Sequence, residues 1–187
     1  MKYTRIERIA KGWSSYIWLA TNKNGKKFAI KGVREKSNRK NLAEREGGML
    51  SLANTIGIGP KLIEVNEKEN FVVYEFVEGE NFLKFVKGGG IEKHSKKEIY
   101  KFVKELIRQC LVLDSIGLRH TQLQVGKNIL VTKHKGKIFP VIIDFEKASI
   151  DFEKKKEANF GQITSFLFYN PNGFVAKKIR EKMKLLL

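Results

Sequence analysis

The order of apolar and polar positions changes character midway along the chain. In the first half, short pieces rich in β-branched and aromatic residues, TRIERIAKG, SSYIWLAT and KKFAIKGV, alternate with turns, and NKNG at residues 22–25 is a hairpin signal between the second and third. This pattern predicts antiparallel strands. From about Asn38 to Asn54 the period lengthens, and Leu42, Met49, Leu50 and Ala53 supply one weakly apolar helical face. Two further strands, KLIEV and NFVVYEF, lead into the turn-like VEGEN.

The second half is mainly helical. In KKEIYKFVKELIRQCLVLDSIG, the residues Ile99, Phe102, Val103, Leu106, Ile107, Cys110 and Leu113 recur at helical spacing and specify a buried face ending at Gly117. NILVT and FPVIIDF read as short strands joined by the turn-like KHKGK, and from about Ala158 two helices are parted by NPNG, with Pro171 and Gly173 as punctuation. Gly88, Gly89 and Gly90 predict a flexible break, and no internal repeat is present.

Composition narrows the picture. At 187 residues and 42% hydrophobic content the chain can build one core or two small lobes. Its single cysteine, Cys110, excludes an internal disulfide, and no Cys/His cluster offers a zinc site, so a reducing compartment is expected. MKYTRIERIAKG lacks the apolar core of a secretion signal, and no apolar run approaches the ~18 residues that span a bilayer. The expectation is a cytoplasmic protein without a membrane partner. A formal charge of +17 favours anionic partners such as nucleotides, RNA or acidic proteins, although a lysine-rich solvated surface is the plain alternative.

Three stretches could carry chemistry. FAIK places Lys31 on a strand, where a lysine can hold phosphates as a point charge if a carboxylate of the following helix fixes it. Glu46 is the candidate partner, because it is in register with Met49 and Leu50, whereas Glu44 falls on a different helix face. IIDFEK delivers Asp144 from a strand, suited to Mg²⁺ bridging phosphate oxygens; Glu146 could add a ligand or face water. RHTQLQVGKNILV carries His120, Gln122 and Asn128 ahead of an apolar strand, and the asparagine could supply a neutral oxygen to a metal.

In this order, a turn with Gly12, then Lys31, Glu46, GEN, His120, Asn128 and Asp144, the chain resembles the protein-kinase-like superfamily over roughly residues 6–150. It is similar to the reduced archaeal serine/threonine kinases, among them the RIO group, the kinase of the KEOPS tRNA-modification complex and a small group whose metal-binding triplet ends in glutamate. The resemblance implies a bilobal α+β fold with lobes at 1–78 and 79–187 and an ATP·Mg²⁺ cleft between them: an antiparallel sheet and one helix, then a minimal, mainly helical lobe. It implies that Lys31 contacts the α- and β-phosphates, Glu46 orients it, Asp144 holds Mg²⁺ with Asn128 as a further ligand, and backbone near Glu75 and Val77 meets adenine. KGWSS would cover the phosphates, with Gly12 its only glycine and Ser14 and Ser15 offering hydroxyls.

Two features depart from the family. Its catalytic loop, H-R-D-L-x-x-x-N, keeps a proton-accepting aspartate where this chain has Gln122, and one additional residue separates Gln122 from Asn128. A glutamine takes up no proton at neutral pH. Three accounts follow: Gln122 positions the acceptor while electrostatics carry the transfer, His120 serves as base, or the chain binds nucleotide without catalysis. The short stretch after Asp144 contains no A-P-E string, so ordinary peptide recognition is not expected. The phosphoacceptor would be the chain itself or a protein partner, and the basic surface makes RNA a further candidate partner, with an RNA-associated subunit that has ATPase activity as the alternative.

Overall fold

The computed structural model of the chain describes residues 3–35, 37, 41–151 and 158–184. They fall into two compact units, Met1–Val77 with Asp144–Lys147, and Glu78–Ile143 with Ala148–Leu187.

The first unit is built on a five-stranded antiparallel sheet, β1 (Thr4–Lys11), β2 (Ser15–Thr21), β3 (Lys27–Val33), β4 (Leu62–Asn66) and β5 (Phe71–Glu75), in the order β1-β2-β3-β5-β4. The predicted turn at Asn22 joins β2 to β3. Its side-chain oxygen accepts the backbone N–H groups of Asn24 and Lys26, and Gly25 supplies the left-handed residue at φ 74°.

Helix α1 (Leu42–Thr55) crosses between β3 and β4. The predicted start at Asn38 lies outside the described residues. Leu42, Ala43, Leu50 and Ala53 are buried as the apolar face, while Met49 is only half-buried. Gly47 lets the helix approach β4 closely, for a Cβ there would meet Val65 Cγ2 at 2.5 Å. Alternation along β3 sends Phe28 and Ile30 to one side of the sheet, where they pack with Ala20 and Val73, and sends Lys31 to the side of α1.

The second unit holds β6 (Gly79–Asn81), helices α2 (Phe82–Lys87), α3 (Gly90–Lys93) and α4 (Lys96–Ser115), the short strand β7 (Leu118–Arg119), the hairpin β8 (Ile129–His134) and β9 (Lys137–Ile142), β10 (Ser149–Ile150), and helices α5 (Ala158–Thr164) and α6 (Phe174–Met183). Strands β6, β8 and β9 form one antiparallel sheet, and β7 pairs with β10. A reciprocal cap starts α4: Ser95 accepts the Glu98 N–H, and Glu98 accepts the Ser95 N–H. Of the predicted α4 face, six residues are buried and Ile107 half-buried. The fold class is α+β of the protein-kinase-like kind, with the sheet in the first unit and helices dominating the second. Among the described residues no helix is long and apolar enough to cross a membrane.

Several local expectations change. GEN is a strand, not a turn, because Gly79 permits backbone contact with β8; a Cβ there would lie 2.8 Å from the Val131 carbonyl oxygen. KHKGK contributes mostly strand, since Lys135 and Gly136 both adopt positive φ and close a two-residue turn between the paired His134 and Lys137. FPVIIDF leaves the sheet at Ile142. The glycine triplet is a packed joint: Gly89 is left-handed at φ 76°, and Gly90 lies under the Phe85 ring, where a Cβ would come within 2.4 Å of Cε2. Gly90→Ala is therefore expected to cost about 1–3 kcal/mol through overpacking, read as a lower urea midpoint; a flexible hinge there would leave the midpoint unchanged.

Candidate functional site

Lys31 stands at the centre of the first unit. Strand β3 carries it inward, only 3% exposed, with its ammonium 2.6 Å from Glu46 Oε2, 2.5 Å from Asp144 Oδ1 and 3.4 Å from Glu146 Oε2. Glu46 reaches this point because it shares the buried face of α1 with Leu42, Leu50 and Ala53, while Glu44 is exposed. The backbone N–H of Phe145 also donates to Glu46 and so ties the acidic segment to the helix. Phe145 itself is fully buried as the anchor of that segment.

Asp144 adopts φ 67°, a left-handed conformation uncommon outside glycine and best tolerated by Asp and Asn. Such geometry persists where surrounding contacts hold it, and here the Lys31 pair and buried Phe145 do so. The 3₁₀ turn Phe145–Lys147 then brings Glu146 back to the same group, buried rather than facing water.

Electrostatics set the protonation states. Burial pulls the Lys31 ammonium toward neutrality, but Glu46 and Asp144 outweigh it and hold its pKa above the ordinary lysine value. Burial pushes the Glu46 carboxyl above its usual range against the pull of Lys31, and Asp144 pushes it further. Tyr74, half-buried nearby, has its phenol raised by burial and by Glu46. Three carboxylates whose oxygens lie within 4.8 Å of one another surround one ammonium, which leaves excess negative charge. Hard oxygen donors of this kind fit a divalent cation such as Mg²⁺.

The remaining predicted residues are distributed between the units. In the first, the Gly12 N–H donates to the Ser15 carbonyl at 2.8 Å, and the Arg34 N–H to that of Ser14 at 2.9 Å. Ser14 and Ser15 are buried, and the turn is gripped from outside by the Arg34 guanidinium, which donates to the carbonyls of Gly12 and Trp13. Glu75 pairs with Lys26 and spends its N–H on the Lys61 carbonyl; Val77 is half-buried. In the second unit, Gln122 and Asn128 are half-buried on either side of a 3₁₀ turn, Leu123–Val125, closed by left-handed Gly126 against the Phe166 ring.

His120 is fully buried in the second unit, and its Nε2 proton goes to the Ile143 carbonyl at 2.8 Å; a carbonyl only accepts, so the proton must sit on that nitrogen. Its backbone N–H donates to Asn159 Oδ1, and the Asn159 amide donates in turn to Asp114 and to the Leu118 carbonyl. This histidine fastens the loop. Sequence reasoning missed Asn159 and Arg34, whose partners lie 39 and 21–22 positions away, and left Glu146 open.

The chain is 33% identical over 111 residues to the uncharacterized protein MJ1211 of Methanocaldococcus jannaschii, a match covering 59% of this chain and 84% of that protein. The chain belongs to the MJ1211 family. It is also 32% identical over 114 residues to the KEOPS complex subunit Bud32 of Pyrococcus abyssi, across 60% of this chain but only 47% of that subunit. The chain thus matches about half the length of Bud32. No family model matches the chain.

Removing the central cation tests this electrostatic reading. A carboxyl whose folded pKa lies above its unfolded one contributes stability that is full below the unfolded value and fades as pH rises through the folded one. Lys31→Met takes away the charge that lowers the Glu46 pKa, so the variant should lose about 3–5 kcal/mol at neutral pH. Part of that loss should be recovered near about pH 4.5, as seen in urea midpoints at the two pH values.

Proposed function

We propose that this chain is an atypical, small ATP-dependent phosphotransferase of the serine/threonine-kinase type that uses Mg²⁺. The observation that carries the reading is the Lys31–Glu46–Asp144 arrangement: a buried ammonium fixed by a helix carboxylate and paired with an acid held in a left-handed turn. In this proposal Lys31 meets the α- and β-phosphates, and the charge now satisfied by Asp144 is transferred to the nucleotide. Asp144, with Asn128 as a neutral donor, would hold the metal, which when bound neutralises charge developing on the phosphate oxygens. Backbone around Glu75 and Val77 would meet adenine. The Gly12 turn would cover the phosphates through its backbone, because Ser14 and Ser15 are buried.

The reaction requires that the acceptor hydroxyl lose its proton as the γ-phosphoryl group arrives. Gln122 cannot take it; its amide orients the acceptor, and the proton passes to the phosphoryl oxygens or to water. Such an enzyme is slow. The resemblance to Bud32, a subunit of a complex by name, supports a partner protein as acceptor or regulator, with the chain itself as the other acceptor. Gln122 also favours a second reading, a nucleotide-binding subunit without catalysis whose output is a conformation or an assembly.

Thermal-shift titration with ATP, with and without Mg²⁺, separates these from an unrelated fold. At about one hundred times Kd the bound nucleotide should add about 2.7 kcal/mol of stability, and Asp144→Ala should abolish the Mg²⁺-dependent share. Transfer of radiolabel from ATP should fall by at least about a hundredfold in that variant and rise in Gln122→Asp, which restores a proton acceptor worth about 10²-fold or more. Unchanged transfer in Asp144→Ala would remove the metal role. Binding without transfer or hydrolysis in the native chain would select the second reading.

A further inference from the structure

On the sheet face of the first unit opposite Lys31 lies a groove of about 630 Å³ lined by Lys11, Tyr16, Trp18, Gly32, Arg34 and Phe71, with Glu35 and Glu69 on its wall. Its sidedness follows from strand register: Tyr16 pairs with Gly32 and Ile17 with Lys31, and consecutive residues of β3 point to opposite faces. Gly32 makes the floor, because a Cβ there would meet the Trp18 ring at 3.3 Å. The Tyr16 ring lies beneath two guanidinium groups, with Arg8 Cζ 4.8 Å and Arg34 Cζ 5.3 Å from its centroid, and Trp18 meets it edge-on at 5.5 Å. Trp13, whose carbonyl Arg34 grips, is 95% exposed at the tip of the adjoining turn.

We infer that this groove binds single-stranded nucleic acid, stacking bases on Trp13 and on the Arg34 guanidinium plane while Arg8 and Lys11 meet the phosphates. An exposed indole is costly to leave in water and is a surface on which any base can stack. Guanidinium planes serve the same purpose. The distinction from an acidic peptide rests on Glu35 and Glu69, which repel carboxylates along the groove wall, and on Arg34, whose Nη1 is already committed to the Gly12 and Trp13 carbonyls so that its plane is fixed over the Tyr16 ring. Glu35 and Glu69 disfavour phosphate beside them but accept N–H groups from base edges, which confines the backbone to the Arg8 and Lys11 side. The excess of 37 basic over 20 acidic residues draws a polyanion toward the surface.

The chain supplies its own probe, since Trp13 and Trp18 are its only two tryptophans. Titration with an oligoadenylate of about eight nucleotides, as RNA and separately as DNA, should quench the tryptophan emission. Affinity should fall with salt at a log–log slope of about −0.7 per phosphate engaged. Trp13→Ala should weaken binding about tenfold, within the range for loss of one stacked base. The double variant Arg8→Glu/Lys11→Glu should weaken it at least about tenfold, and Lys133→Glu/Lys137→Glu, which changes the net charge equally in the second unit, by less than about threefold. Circular dichroism melts identify any variant that fails to fold. Equal quenching by RNA and DNA, or tighter binding of RNA, both support the groove, the latter adding a 2′-hydroxyl contact. Equal losses in both double variants would reduce the interaction to diffuse charge and overturn the proposal. Comparable quenching by polyglutamate, or no quenching by either oligonucleotide, would overturn it as well.

Discussion

A buried ammonium among acids constrains the first unit more than any other contact. Lys31 cannot be left alone in the interior, because desolvation of an unpaired charge costs several kcal/mol, and Glu46, Asp144 and Glu146 answer it from two separate stretches of chain. Satisfying it requires β3 to keep its register, α1 to turn one face inward and the chain after β9 to enter a left-handed conformation. The acids outnumber the ammonium, and the Glu46 carboxyl is pushed up first by its burial and then by Asp144, against the pull of Lys31. A cluster tuned only for stability would be balanced, whereas this one sets three hard-oxygen donors around a single buried ammonium, a donor set that fits a divalent cation.

The second unit uses amide, imidazole and carboxylate hydrogen bonds for the corresponding task. Asn159, fully buried at the start of α5, holds the His120 backbone and is held by Asp114 near the end of α4. His120 in turn fixes the Ile143 carbonyl. The network sets the path of the loop bearing Gln122, with the half-buried Asp114 carboxylate as its charged acceptor. The two units thus organise their polar groups by different means, an ammonium among three carboxylates in the first and amide and imidazole hydrogen bonds around one carboxylate in the second.

Much of this was readable from the chain where one periodicity governs. Strand alternation and helical spacing put Lys31 and Glu46 on inward faces, and the exposure of Glu44 follows from the same arithmetic. The α4 face, from Ile99 to Leu113, is equally regular. What could not be read depends on contacts between distant segments. A glycine triplet has the composition of a hinge, and only the Phe85 ring makes Gly90 a packing site. Glu146 follows Asp144 by two positions, but the 3₁₀ turn, not a strand, decides where it points. Asn159 has no local signal at all, because its partners are the Asp114 carboxylate, the Leu118 carbonyl and the His120 N–H.

The first unit is discontinuous in sequence, since Asp144–Lys147 joins residues that precede Val77. A chain emerging from the ribosome therefore exposes Lys31 and Glu46 early, as a balanced pair of opposite charges, long before the other two acids are synthesised. The nascent sheet and α1 can close around that neutral couple without the repulsion among carboxylates that the mature protein holds. Excess negative charge arrives only with residues 144–146, after β8 and β9 have been made to present them. Vectorial synthesis thus delivers the stable half of the ion cluster first and its electrostatically strained half last.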